Sequence, residues 1–167
     1  MEVSIDTIKE LREECGAGVM ECRNALIETE GNIEKAIALL KQSSIYKVDK
    51  KKERSASEGL IESYIHTGGR IGAIVEVNCE TDFAARTDVF KELAHNLAMQ
   101  VAAMPPQFVS SEDVPEGTDV EIETDCLLLQ PYIKDTSITI QDILNEAIAK
   151  VGENIKVTRF ARFEVGE

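Results

Sequence analysis

No apolar run in this sequence is long enough to cross a bilayer: the longest, such as residues 37–40 and 127–129, fall far short of the roughly 20 residues a spanning helix needs. No membrane segment is expected. The opening Met1-Glu2-Val3-Ser4-Ile5-Asp6 lacks both a positively charged stretch and an apolar one, so no secretory leader is expected and the expected address is the cytoplasm. Cysteines stand only at 15, 22, 79 and 126, with no C-x-x-C pair and no nearby histidine pair to complete a zinc set. They read as reduced, packed thiols, because a reducing compartment disfavours disulfides. Positive charge is scarce: 18 Lys and Arg stand against 31 Asp and Glu, a net −13. Such a field repels phosphate backbones, so nucleic acid is not expected as a direct ligand. The one basic concentration, Lys47, Lys50, Lys51, Lys52 and Arg54, is interrupted by Asp49 and Glu53 and reads as a solvated linker or helix end. Internal repeats and low-complexity tracts are missing as well.

The 167 residues, 43% hydrophobic and 29% charged, suit a soluble globular chain of one ordinary domain plus a small module. Three short helices are predicted in the first forty residues. Ser4 caps a stripe of Ile5, Ile8 and Leu11 that Gly16 stops; Gly18 turns the chain into a second helix carrying Val19, Cys22, Ala25 and Leu26; Asn32 caps a third with Ile33, Ala36, Ile37 and Leu40. These stripes meet in a three-helix bundle over residues 1–42. A module so small has an economical core, which leaves its exposed loop residues as the expected contact surface. Residues 43–57 lose the stripe, turn charged and read as a linker, helical in part or not.

From residue 58 the period changes. Residues 60–66 and 70–78 read as antiparallel strands joined by Thr67-Gly68-Gly69. Thr81 or Asp82 is then expected to cap one long helix with Phe83, Phe90, Leu93, Leu97 and Val101 near one face, running to Pro105-Pro106. Residues 107–124 read as a surface excursion, and 127–133 as an edge strand because of Pro131. Ile140 to Val151 is a predicted helix, with Thr139 and Asp142 at its start and Gly152 at its stop. Residues 155–165, β-branched and aromatic, read as a closing strand. Strands and helices that do not strictly alternate predict an α+β core over residues 58–167, an antiparallel sheet packed with two main helices.

For catalysis the combination worth weighing is Cys79 with His66 and Asp82, against the plainer reading of a thiol packed at a strand end. His95 has Met99 at i+4 and so no metal-binding partner on its helix. None of the glycines at 59, 68, 69 and 72 forms the strand–loop–helix that cradles phosphate. No catalytic residue, metal or cofactor is expected. One exposed-looking feature remains: Thr81-Asp82-Phe83-Ala84 sets a carboxylate beside a large aromatic in the first turn of a helix, directly after a strand. The plain reading is a cap and an anchor; the sharper one is a probe presented to a partner.

The run Tyr64-Ile65-His66-Thr67-Gly68-Gly69-Arg70-Ile71-Gly72, continuing through Val75-Glu76-Val77-Asn78-Cys79-Glu80-Thr81-Asp82-Phe83, resembles the signature of the elongation factor Ts family. Leu11-Arg12-Glu13-Glu14-Cys15-Gly16-Ala17-Gly18-Val19-Met20-Glu21-Cys22-Arg23-Asn24-Ala25-Leu26 is similar to that family's N-terminal ubiquitin-associated-like module, and residues 148–155 with 159–164 resemble its tail. A generic peptide-binding bundle fused to an unrelated core would have no reason to carry the motifs beyond residue 58. The resemblance implies a non-enzymatic guanine-nucleotide exchange factor for the GTPase elongation factor Tu. Arg12, Val19 and Met20 match positions that dock on the GTPase domain; Phe83 would act as a wedge, with Asp82 holding displaced backbone, so that Mg2+ and GDP are held less well. Ala84 stands where the family has the larger Val, and Gln100 where relatives often carry a partner-facing His. The stretch between Pro115 and Pro131 is short for the family. Long members carry a duplicated core and short ones homodimerise, so a homodimer is expected here, without a terminal thiol cross-link because position 161 is Ala.

Overall fold

A computed structural model of the chain describes residues 3–167, apart from the side chains of residues 44–47 and 49. It divides into two compact units, Met1–Lys51 and Lys52–Glu167.

The first unit holds α1 (Ile5–Cys15), α2 (Val19–Glu28) and α3 (Ile33–Lys51). The Ser4 hydroxyl accepts the Thr7 N–H at 3.1 Å. Gly16 ends α1 in the left-handed region at φ 66°, where a side chain would be strained, and returns its N–H to the Arg12 carbonyl. Asn32 caps α3 through a 2.9 Å bond from the Lys35 N–H. The stripes converge on a core of Leu11, Cys22, Ala25, Leu26, Ala36 and Leu40. Helix α3 continues through residues 43–51, which the sequence reading gave to the linker. Lysine is a good helix former, so the loss of the apolar stripe does not end the helix. Of the basic concentration, the side chain of Lys47 lies outside the described ones.

In the second unit, β1 (Glu58–Ile65) and β2 (Ile71–Cys79) form the expected hairpin. Gly68 and Gly69 both take positive φ, 93° and 67°, and the Gly69 N–H closes on the His66 carbonyl at 2.9 Å. The predicted single long helix is two: α4 (Asp82–Ala85) and α5 (Asp88–Ala103). The break is made by Thr87, whose hydroxyl donates back to the Ala84 carbonyl at 2.7 Å and accepts the Phe90 N–H at 3.3 Å, starting α5 afresh. Phe83 therefore does not share a face with Phe90. The latter is sealed at 0% exposure beneath the sheet, with Leu93, Leu97 and Val101.

The excursion carries the short α6 (Ile122–Asp125). The predicted strand over 127–133 is corrected: Leu127–Leu129 form one 3-10 turn, and only Pro131–Tyr132 remain as β3, paired with β4 (Asp135–Thr139). Helix α7 (Ile140–Val151) follows, with reciprocal Thr139–Asp142 bonds at its start and Gly152 at φ 82° at its end. Strand β5 (Ile155–Glu164) lies beside β2, giving the antiparallel order β1-β2-β5. Thr158 bulges where the register shifts between Glu76 and Val77. The extra residue changes which side of the sheet each later side chain faces: Val157 is buried in the core and the half-buried Phe160 shares the side of its register partner Val75, while Arg159 turns outward onto Glu76 at 2.6 Å. Within this unit α5 packs on the face that carries Val75 and Val77, while Ile61, Ile65, Ile74 and Phe163 on the opposite face are exposed.

Candidate partner-binding site

Strand β2 delivers the chain to a sharp turn. Cys79, its last residue, is fully buried and its thiol donates to the Thr81 carbonyl at 3.1 Å. Thr81 is the N-cap of α4, its hydroxyl accepting the Ala84 N–H at 3.3 Å. Ala84 and Ala85, 5% and 8% exposed, anchor α4 against the hairpin. Between them and the cap, Phe83 stands 76% exposed, the most exposed of the large hydrophobic side chains described. Asp82 is half-exposed beside it and pairs with Arg86 one turn on, Oδ2 to Nη2 at 2.8 Å. An exposed aromatic costs solvation that an anchored one does not, so the anchor reading of Phe83 does not describe this geometry. Thr81 and Ala84 support the tip; Asp82 and Phe83 form its surface.

The tip is braced from the turn between α7 and β5. The Glu153 carboxylate accepts both the Thr81 N–H at 3.0 Å and its hydroxyl at 2.7 Å. In the other direction, Glu80 accepts the Asn154 N–H at 2.7 Å and lies 3.6 Å from Arg54. Asn154, 4% exposed, donates its side-chain amide to the Arg54 carbonyl at 2.8 Å. Sequence reasoning gives no signal for this brace, because Glu153 and Asn154 lie more than seventy residues from the groups they hold.

On the N-terminal unit, Arg12 lies in the last turn of α1, with Val19 and Met20 in the first turn of α2, so all three flank the short turn at residues 16–18. Arg12 is exposed, Val19 is 51% and Met20 61% exposed. Two large apolar side chains adjoining a cation on a small helical module are available for contact.

The other candidates separate. Cys79 and His66 sit at opposite ends of the β1–β2 hairpin, since Cys79 pairs with Glu58 while His66 follows Ile65. Burial, and then the Glu153 charge, push the Cys79 thiol up from its ordinary value, which disfavours a thiolate nucleophile. His66 meets the Tyr64 hydroxyl at 3.2 Å; His95 Nδ1 lies 3.6 Å from Glu62. Among the described residues no group of three or more His, Cys, Asp or Glu is arranged to hold a metal ion, and no helix is long and apolar enough to cross a membrane. Gln100, at 0% exposure, is no contact residue: its side chain bonds Gln130, the Pro131 carbonyl and the Ile133 N–H, all at 3.0–3.1 Å.

The chain is thus a small helical module followed by an α+β core that holds an aromatic and a carboxylate out in solvent. The family model "Elongation factor TS" matches residues 6–124 and 118–167, and the chain belongs to the elongation factor Ts family. It is 49% identical to the elongation factor Ts of Thermotoga neapolitana over 195 aligned positions, which take in 100% of this chain and 99% of the relative. Those of Caldanaerobacter subterraneus subsp. tengcongensis and Coprothermobacter proteolyticus are each 46% identical, over 99% and 100% of this chain and 98% and 100% of theirs. Membership supports a role in translation elongation. The alignments are longer than this chain, and the family match divides at residues 118–124, within the acidic excursion that the sequence reading found short.

Proposed function

We propose that this chain is a guanine-nucleotide exchange factor that binds elongation factor Tu carrying GDP and promotes GDP release by disturbing its Mg2+ and phosphate site. The observation that carries the reading is the exposure of Phe83 on an anchored turn beside Asp82. Arg12, Val19 and Met20 dock the N-terminal module on the GTPase domain. Phe83, with Asp82 at its side and Thr81 and Ala84 beneath, is pressed between partner side chains around the metal. The chain makes and breaks no bond itself and works in the cytoplasm. Exchange is a coupling between two ligands of one protein: the factor by which this chain weakens GDP is the factor by which GDP weakens this chain, so each displaces the other.

A second copy of the chain completes the assembly. The three relatives above are matched along at least 98% of their length, so, like this chain, they hold a single core. The uncovered face of the sheet carries Ile61, Ile65, Ile74 and Phe163, each at least 43% exposed, an apolar patch of the kind that marks an interface.

The test is release of a fluorescent GDP from purified elongation factor Tu. Phe83→Ala is expected to slow the stimulated rate by at least about tenfold, equivalent to roughly 1.4 kcal/mol on the barrier to release, with the melting temperature almost unchanged. Equal stimulation by variant and parent would remove the wedge.

A further inference from the structure

Phe83 touches little of its own chain, so the direction in which it points is set by the backbone beneath it. That backbone has a four-residue helix and two residues of turn, too short to be rigid by itself. We infer that Glu153 and Asn154 are positioning residues that hold residues 80–83 in their presenting geometry before any partner arrives, an inference that rests on the exchange-factor reading above.

The bonding is crossed and reciprocal. Residue 153 accepts from residue 81, and residue 154 donates to residue 80. The two turns are brought side by side because Cys79 and Ile155 are register partners at the ends of β2 and β5. Glu153 does more than add two bonds. By taking the Thr81 hydroxyl hydrogen at 2.7 Å, it turns an oxygen lone pair toward the Ala84 N–H that the same hydroxyl caps at 3.3 Å. Hydrogen bonds to a carboxylate are about twice as strong as neutral ones, and these lie in a half-buried place where water competes poorly. The bracket is itself fixed: Gly152 closes α7 with its N–H on the Ile148 carbonyl, and Asn154 is buried with its side chain on the carbonyls of Arg54 and Lys52. Order in the tip is thus established on folding rather than on binding, which spares the encounter the entropy of arranging the wedge.

The experiment uses the full chain as parent, Glu153→Gln, Glu153→Ala, Phe83→Ala and the Phe83→Ala/Glu153→Ala double variant. Hydrogen exchange reads the amides of residues 81–84 in the free protein, and GDP release from elongation factor Tu reads the consequence. Glu153→Ala is expected to speed exchange at those amides and to slow stimulated release by about tenfold, on the strength of two charge-assisted bonds. Glu153→Gln, which keeps one oxygen acceptor, recovers to within about threefold of the parent. In the Phe83→Ala background Glu153→Ala has no further effect, because it acts through that side chain. The same loss factor in both backgrounds would show a merely structural role and overturn the inference; so would parent-level amide protection in Glu153→Ala. Should that variant fail to fold, Thr81→Val removes the hydroxyl bond from the other side and Thr81→Ser restores it, with the same two outcomes. If Phe83→Ala leaves release unchanged, the wedge reading fails, and hydrogen exchange alone then decides whether the brace exists.

Discussion

Two phenylalanines seven positions apart carry opposite assignments. Phe90 is sealed in the core and Phe83 stands in solvent, so truncation separates stability from function. Phe90→Ala is expected to cost about 3–5 kcal/mol of folding free energy, as large-to-small core changes do. Phe83→Ala should stay within about 0.5 kcal/mol of the parent, the range of ordinary surface substitutions. Denaturant melts of both variants check this; a Phe83→Ala loss as large as that of Phe90→Ala would mean the aromatic is an anchor after all. Gln100 belongs with Phe90. Its amide satisfies Gln130, Pro131 and Ile133 in a fully buried place, so Gln100→Ala leaves the Ile133 N–H, the Gln130 side-chain Oε1 and the Pro131 carbonyl without that partner and should cost about 1–3 kcal/mol in the same melts. Position 100 was legible only as a departure from a family pattern, because a polar residue on a helix says nothing of whether a second polar residue thirty positions later meets it.

Elements with their own punctuation were legible, and those defined by distant partners were not. Ser4, Gly16, Asn32, Thr139 and Gly152 mark helix ends in the sequence and do so in the fold. Thr87 is not legible as a cap because Phe83 and Phe90 on either side of it fit one helical stripe, and only the bond back to Ala84 shows the interruption. Residues 127–133 are apolar enough for a strand, but Pro131 lacks an N–H and the Leu127–Leu129 stretch tightens into a 3-10 turn. The α1–α2 pair supplies a pH prediction. Cys22 and Cys15 bring their sulfurs to 3.8 Å, and burial first, then the Cys15 thiol, push the Cys22 thiol from an ordinary 9.0 up to about 11. Below about pH 9 folded and unfolded chains both hold the proton, and this contribution to stability is complete. As pH rises toward about 11 the unfolded chain sheds the proton while the folded one keeps it, so stability falls. Melting temperature should therefore drop more steeply over that window in the parent than in Cys22→Ser, and parallel curves would contradict the assignment.

At the scale of the whole molecule, apolar attraction and net charge act against each other. The chain's −13 charge makes two copies repel, while Ile61, Ile65, Ile74 and Phe163 offer the same patch on each, as a two-fold interface requires. The Thr158 bulge helps this face: it places Phe160 inward and leaves the neighbouring Glu76 and Arg159 neutralised against each other, so the ion pair adds little repulsion of its own. Screening decides the balance at low salt, since the Debye length falls from about 30 Å at 0.01 M to about 8 Å at 0.15 M ionic strength. Light scattering at micromolar concentration should accordingly give a mass that moves toward two chains as salt rises across that range. Phe163→Asp, which sets a charge on each copy's patch, should hold the mass at one chain without unfolding the protein, because the side chain is 68% exposed in the single copy. A parent that stays at one chain's mass at the higher salt would leave the sheet face without an occupant, and a Phe163→Asp variant that still pairs would move the interface to another surface.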